Sequence, residues 1–192
     1  MKRSALLLLS ATAFLAACSH KSETTTDINT NVTANETDMA VANDTAPAPV
    51  VSEGQGFANG AGSSDAFEIA SSKLAATNAG SAAVKKFATQ MIAAHSESTA
   101  DLTAIAAKLT PPITSDTTLT SEQSAKLTAL NAKQGAAFDA AYAEEQVAAH
   151  EKALTMLKAY AATGGVPEFK TFAAALSPKV AAHLNMAKSL KP

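Results

Sequence analysis

The 192-residue chain has no tryptophan, two tyrosines and a single cysteine, Cys18. One cysteine allows no internal disulfide, so the fold must hold by packing alone. Charge of either sign is scarce, at 17% of residues, with 15 Lys plus Arg against 17 Asp plus Glu. No basic face is in prospect, which argues against a nucleic-acid partner and against polybasic adhesion to anionic lipid. No stretch alternates apolar and polar residues with period two, so strands are not indicated. Phosphate loops, dinucleotide fingerprints and nucleophile elbows are absent. The one apolar run near the N-terminus, over 5–17, is too short to span a bilayer, which takes about 20 apolar residues.

That run has another reading. Lys2 and Arg3 precede it, and it closes on Leu15-Ala16-Ala17-Cys18. A charged start, an apolar middle and a small-residue end make a secretory signal. The ending resembles the lipobox of bacterial lipoproteins, which implies cleavage before Cys18, thioether linkage of its thiol to diacylglycerol and acylation of the new amino terminus. Removing Lys2 and Arg3 takes Lys plus Arg from 15 to 13 against 17 acidic residues, a net charge of −4. Two or more acyl chains would anchor the protein stably. Ser19 is not the Asp that in many lipoproteins signals inner-membrane retention. The resemblance therefore points to the outer membrane, with the protein facing the periplasm.

Residues 19–62 are rich in Thr, Asn, Ala, Asp and Pro, with Phe57 their only aromatic residue. Such a stretch buries too little apolar surface to offset its ordering entropy and reads as a disordered tether. His20, within it, reads as a solvated side chain. From 63 to 192 the pattern changes to Ala, Leu, Lys, Glu and Met with three- and four-residue apolar spacing, which predicts one all-α domain. A first helix is expected over 64–78, ended by Gly80. A second is expected over 81–109, stopped by Pro111-Pro112. A third runs over 120–162, opened by a Thr120/Gln123 capping box and with a break near Gly135. A fourth starts at Pro167 and is kinked or restarted at Pro178. Four amphipathic helices of this kind make an antiparallel four-helix bundle.

His95, His150 and His183 each fall on the apolar stripe of a different predicted helix. A core-facing imidazole loses solvation, which favours its neutral, metal-ligating form. If their heights along the bundle match, the three converge, with Glu68 on the flank of the first helix as a fourth ligand. Taken one at a time, each reads first as a core histidine bonded to a carbonyl, hydroxyl or carboxylate; it is the three together, on separate helices, that raise the metal reading. A di-iron centre of the ferritin type needs Glu-x-x-His pairs, but positions 92, 147 and 180 are Ile, Val and Val. A mononuclear divalent site for zinc or copper suits these residues better. Asp139, Tyr142, Gln146 and His150 form a polar ridge at spacings of three, four and four. It reads as an ordinary boundary face or, alternatively, as a buried hydrogen-bond network.

Five segments carry a further resemblance: Ala66-Phe67-Glu68; Ala83-Val84-Lys85-Lys86-Phe87-Ala88 with His95-Ser96; Phe138-Asp139-Ala140-Ala141-Tyr142; Gln146-Val147-Ala148-Ala149-His150-Glu151; and Pro178 with His183-Leu184-Asn185-Met186-Ala187. Together they resemble the bacterial domain-of-unknown-function family 4142. The resemblance implies a ferritin-like helical bundle, usually exported, with no established activity. That family usually has Asp immediately before the second-helix histidine, where this chain has Ala94. Three functions follow as expectations. The first is a non-enzymatic, lipid-anchored bundle that engages an envelope protein partner or supports stress tolerance. The second is a metal-binding or redox module on the three histidines. The third is a carrier of a small apolar ligand in the bundle interior.

Overall fold

The computed structural model describes residues 52–190, and Cys18, the signal segment and most of the expected tether lie outside them. The described chain is all-α: α1 (Glu53–Asn78), α2 (Ala82–Ala106), α3 (Ser121–Asn131), α4 (Gly135–Thr163) and α5 (Pro167–Ser189). Among the described residues, no helix is long and apolar enough to cross a membrane.

The first helix starts at Glu53, not at 64, so the segment expected as tether already belongs to the fold by its last ten positions. Ser52 caps it, its hydroxyl accepting from the Gln55 amide at 3.2 Å. Phe57, Ala58 and Ala61 are buried, and the Phe57 ring stacks on Tyr160 with centroids 4.0 Å apart. Two of the glycines in this stretch sit where neighbours approach closely. A Cβ on Gly54 would sit 2.7 Å from Val166, and one on Gly62 would run into Ser115. The loop after α2 is fastened to this turn of α1: Ser115 donates to the Ala58 carbonyl at 2.7 Å, and the Asp116 amide donates to Asn59 at 2.9 Å.

Two other boundaries differ from expectation, and a third agrees with it. Helix α2 ends at Ala106, and its Ala106 carbonyl accepts from the Ile113 amide at 3.0 Å as the chain turns through Pro111-Pro112. The helix expected over 120–162 breaks near Gly135, as expected, into α3 and α4. Residues 132–134 separate them, and Gly135, at φ +58°, takes the left-handed backbone that glycine adopts without steric penalty. Finally, α5 continues through Pro178 as one helix. The missing amide deprives the Ala174 carbonyl, and both residues are exposed, which leaves that carbonyl on the solvent side.

The α1/α2 and α4/α5 hairpins pack together through α1 against α4 and α2 against α5, while α3 lies on α1 and α4. The contacts fix the directions. Phe57 at the start of α1 meets Tyr160 at the end of α4, and Gly80 after α1 meets Gly135 at the start of α4. The chain therefore returns along the bundle between α2 and α4, and α3 is part of that crossover.

The core is layered. One end holds Phe57, Leu102, Leu157, Tyr160, Phe169 and Phe172. The other holds Val84, Phe87, Met91, Leu130, Phe138 and Tyr142. Between them, at mid-height on α1, α2 and α4, lies a buried polar layer: Asp65, Glu68, Ser71, Ser72, His95, Ser98, Gln146 and His150. Two apolar plugs thus enclose a layer of side chains that would be expensive to bury without partners.

Candidate metal centre

Helices α2, α4 and α5 each direct one histidine into the polar layer. Ring centroids are 5.5 Å apart for His95 and His150, 5.9 Å for His95 and His183, and 5.7 Å for His150 and His183. One ring nitrogen from each lies within 4.8 Å of the others. Tetrahedral zinc with bonds of about 2.0–2.1 Å needs nitrogens about 3.3–3.4 Å apart. To reach that spacing the nitrogens must close by up to about 1.4 Å through rotation of the rings.

The protonation of two rings follows from their partners. His95 Nδ1 lies 2.8 Å from Asp65 Oδ1, and a carboxylate only accepts, so Nδ1 carries the hydrogen. The other Asp65 oxygen accepts from Thr99 at 3.1 Å. His150 Nδ1 lies 2.8 Å from the Gln146 carbonyl, which again only accepts. In both rings, when neutral, Nε2 is left with its lone pair free. These two Nε2 atoms and His183 Nδ1 are buried with no hydrogen-bond partner. A second-ring hydrogen bond to a carboxylate or carbonyl is the arrangement that orients metal-ligating histidines.

Electrostatics support neutral ligands at two of the three positions. Burial pushes His150 down to about 4, with the charges of His95 and His183 adding to the effect. Burial also lowers His183, aided by His95 and Lys179. His95 differs: burial pulls it down, but the Asp65 hydrogen bond and the Glu68 and Asp65 charges raise it overall.

Glu68 is not part of the cluster that the three histidines form. Its Oε1 is 3.5 Å from His150 Nδ1, the nitrogen already given to Gln146, so it stands behind that ring. The carboxylate is 1% exposed and neither oxygen has a hydrogen-bond partner. Burial pushes it up to about 7, against the pull of His95.

The ridge on α4 is a buried network, not a boundary face. Tyr142 pairs with Ser72 at 2.7 Å, and the Gln146 amide donates to Ser71 at 3.1 Å. Asp139 is remote from the histidines. It accepts from the Gly80 and Ser81 amides at 3.1 and 2.7 Å and holds the α1–α2 turn. The side chain that sequence reasoning missed is Asp65. Its signal was available: Asp65, Glu68 and Ser72 recur at spacings of three and four on a stripe otherwise apolar.

The family profile described as "Domain of unknown function (DUF4142)" matches residues 38–190. The chain belongs to the DUF4142 family. No curated protein and no solved structure matches it. The match spans all five helices and begins before α1, in agreement with a folded domain that starts upstream of position 63. In this DUF4142 domain the residue before His95 is Ala94, and the carboxylate that orients the ring comes instead from Asp65 on the neighbouring helix.

Proposed function

We propose that this DUF4142 domain binds one divalent transition-metal ion, zinc or copper, through His95, His150 and His183. The observation that carries the reading is the set of three buried, unpartnered imidazole nitrogens, one from each ring, at one level of the bundle. An unsatisfied buried polar atom costs about 1–3 kcal/mol. Three of them converging is an arrangement that a metal ion relieves. Asp65 and the Gln146 carbonyl hold two rings in the ligating tautomer, and Glu68 supplies a nearby carboxylate that a dication would favour in its charged form. Three protein ligands leave a fourth position for an exogenous ligand, where a bound ion would supply Lewis acidity or, as copper, electron transfer. This reading displaces the purely structural envelope role, for which the fold offers no comparable feature.

Two coarser proposals accompany it. The single long crossover between α2 and α4 supports a ferritin-like arrangement of the four long helices, with a mononuclear histidine site in place of paired carboxylates. Residues 1–18 support a lipid anchor at Cys18 and a periplasm-facing position at the outer membrane. A Cys18→Ser protein is expected to leave the membrane fraction; unchanged membrane association would contradict the anchor.

The metal proposal is tested by elemental analysis of the purified protein beside a His95→Ala/His150→Ala/His183→Ala variant and a single His183→Ala variant. About one metal per chain is expected in the parent, with loss in both variants and a lower melting temperature of the parent in chelator. Equal metal content in all three, with no chelator effect, would end the proposal.

A further inference from the structure

A cleft of about 320 Å³ runs between α2 and α5 and reaches His95 and His183. The geometry points to this cleft as the chamber for a small neutral molecule with an apolar body and one metal-seeking donor atom, which enters the open coordination position. This inference rests on the metal reading and adds to it the class of ligand.

Three observations carry it. The first is chemical layout. Phe172, Leu176, Val180 and Met186 supply apolar walls, while His95 and His183 supply the ligating groups; His150 does not line the cleft. The metal would therefore present a face toward the cleft and be backed by protein on the other side. The second is Ser98, which lines the same cleft, is 4% exposed and has a buried hydroxyl with no partner. A hydroxyl one helical turn beyond His95 is placed to meet a polar atom on a molecule held at the metal. The third is size. A cavity of about 150 Å³ holds benzene, so this one has room for a ring together with a donor head.

The mouth selects further. Glu97 and Asp101 face Lys179 across it, leaving an excess of negative charge that disfavours anions. Lys179 Nζ and Glu97 Oε1 are 3.8 Å apart, and both side chains are more than half exposed, at 61% and 68%. An exposed pair of this kind contributes little and opens readily.

Cobalt(II), whose visible spectrum reports its ligands, serves as the probe metal in the purified full-length protein. Imidazole and 4-phenylimidazole are then titrated in, the two sharing a donor nitrogen and differing by an apolar ring. The expected result is that 4-phenylimidazole binds the cobalt at least tenfold more tightly than imidazole. Ala182→Phe should remove that preference while cobalt content stays unchanged, because Ala182 is an exposed position on the cleft wall. Ala175→Phe, also an exposed wall position, blocks the cleft independently. Cobalt binding with equal affinity for the two imidazoles, or a preference that survives both blocking variants, would overturn the chamber and leave the metal site standing. Failure of cobalt to bind would overturn both.

Discussion

Replacing Glu68 by Gln should stabilise the metal-free protein at alkaline pH, although it alters one of the most buried residues in the molecule. Glu68 is 1% exposed, and burial moves its carboxyl from 4.5 to about 7. The folded state therefore holds this proton more tightly than the unfolded chain, and stability falls as pH rises through the window from 4.5 to 7. A displacement of about 2.5 pH units at about 1.36 kcal/mol per unit makes the ionised carboxylate cost about 3 kcal/mol above pH 7. Near pH 5, where the folded form stays protonated and the unfolded form is only partly ionised, the cost is below about 1 kcal/mol. Gln keeps the shape and cannot ionise. Urea unfolding of chelator-treated protein at pH 8 should place Glu68→Gln about 2–3 kcal/mol above the parent, with the gap closing toward pH 5. His150, depressed to about 4, titrates in the opposite sense over the same range, so the test is the difference between the two proteins and not the pH profile of either alone. With metal bound, the dication favours the charged carboxylate, and the advantage of Gln should shrink or reverse. A variant less stable than the parent by the same amount at both pH values would refute the picture of an unpartnered buried carboxylate.

Asp65→Asn should weaken metal binding by about 10–100-fold, because it removes the carboxylate that fixes the His95 tautomer; competition against a chromophoric chelator measures this, and unchanged affinity would remove Asp65 from the site. Asp139→Ala removes an ionised acceptor from two backbone amides and should cost about 1.5–3 kcal/mol in denaturant unfolding with metal content intact; loss of metal instead would mean that the α1–α2 turn controls the site. Phe57→Ala should cost about 3–5 kcal/mol, since its ring stacks on Tyr160 and packs on Phe169; a neutral effect would return the segment before residue 63 to the tether.

Much of the architecture was legible because helices announce themselves by period. Met91 and His95, or Val147, His150 and Leu154, repeat at three and four, and that repeat survives whatever the neighbours are. The histidines could be assigned to stripes for the same reason. Their convergence could not, since it depends on the register between helices distant in sequence. The start of α1 was hidden because Gly54, Gly56, Gly60 and Gly62 lower local helix propensity. At Gly54 and Gly62 the value of glycine lies in how closely Val166 and Ser115 approach, a tertiary fact. Pro178 misled in the opposite direction: its local penalty is real, but it falls on the solvent side of the helix. Glu68 stands beside the site and outside the histidine cluster; position on a helix face does not show which side of a facing imidazole a carboxylate meets. Asp65 escaped because its partner is on the next helix, and the resemblance drew attention to position 94 instead.

X-ray absorption at the zinc edge of the zinc-loaded protein shows whether three imidazoles share one ion. Three imidazole nitrogens are expected at about 2.0–2.1 Å, with the imidazole scattering reduced in His183→Ala. A spectrum without imidazole scattering, or one unchanged by removing His183, would contradict the three-histidine site.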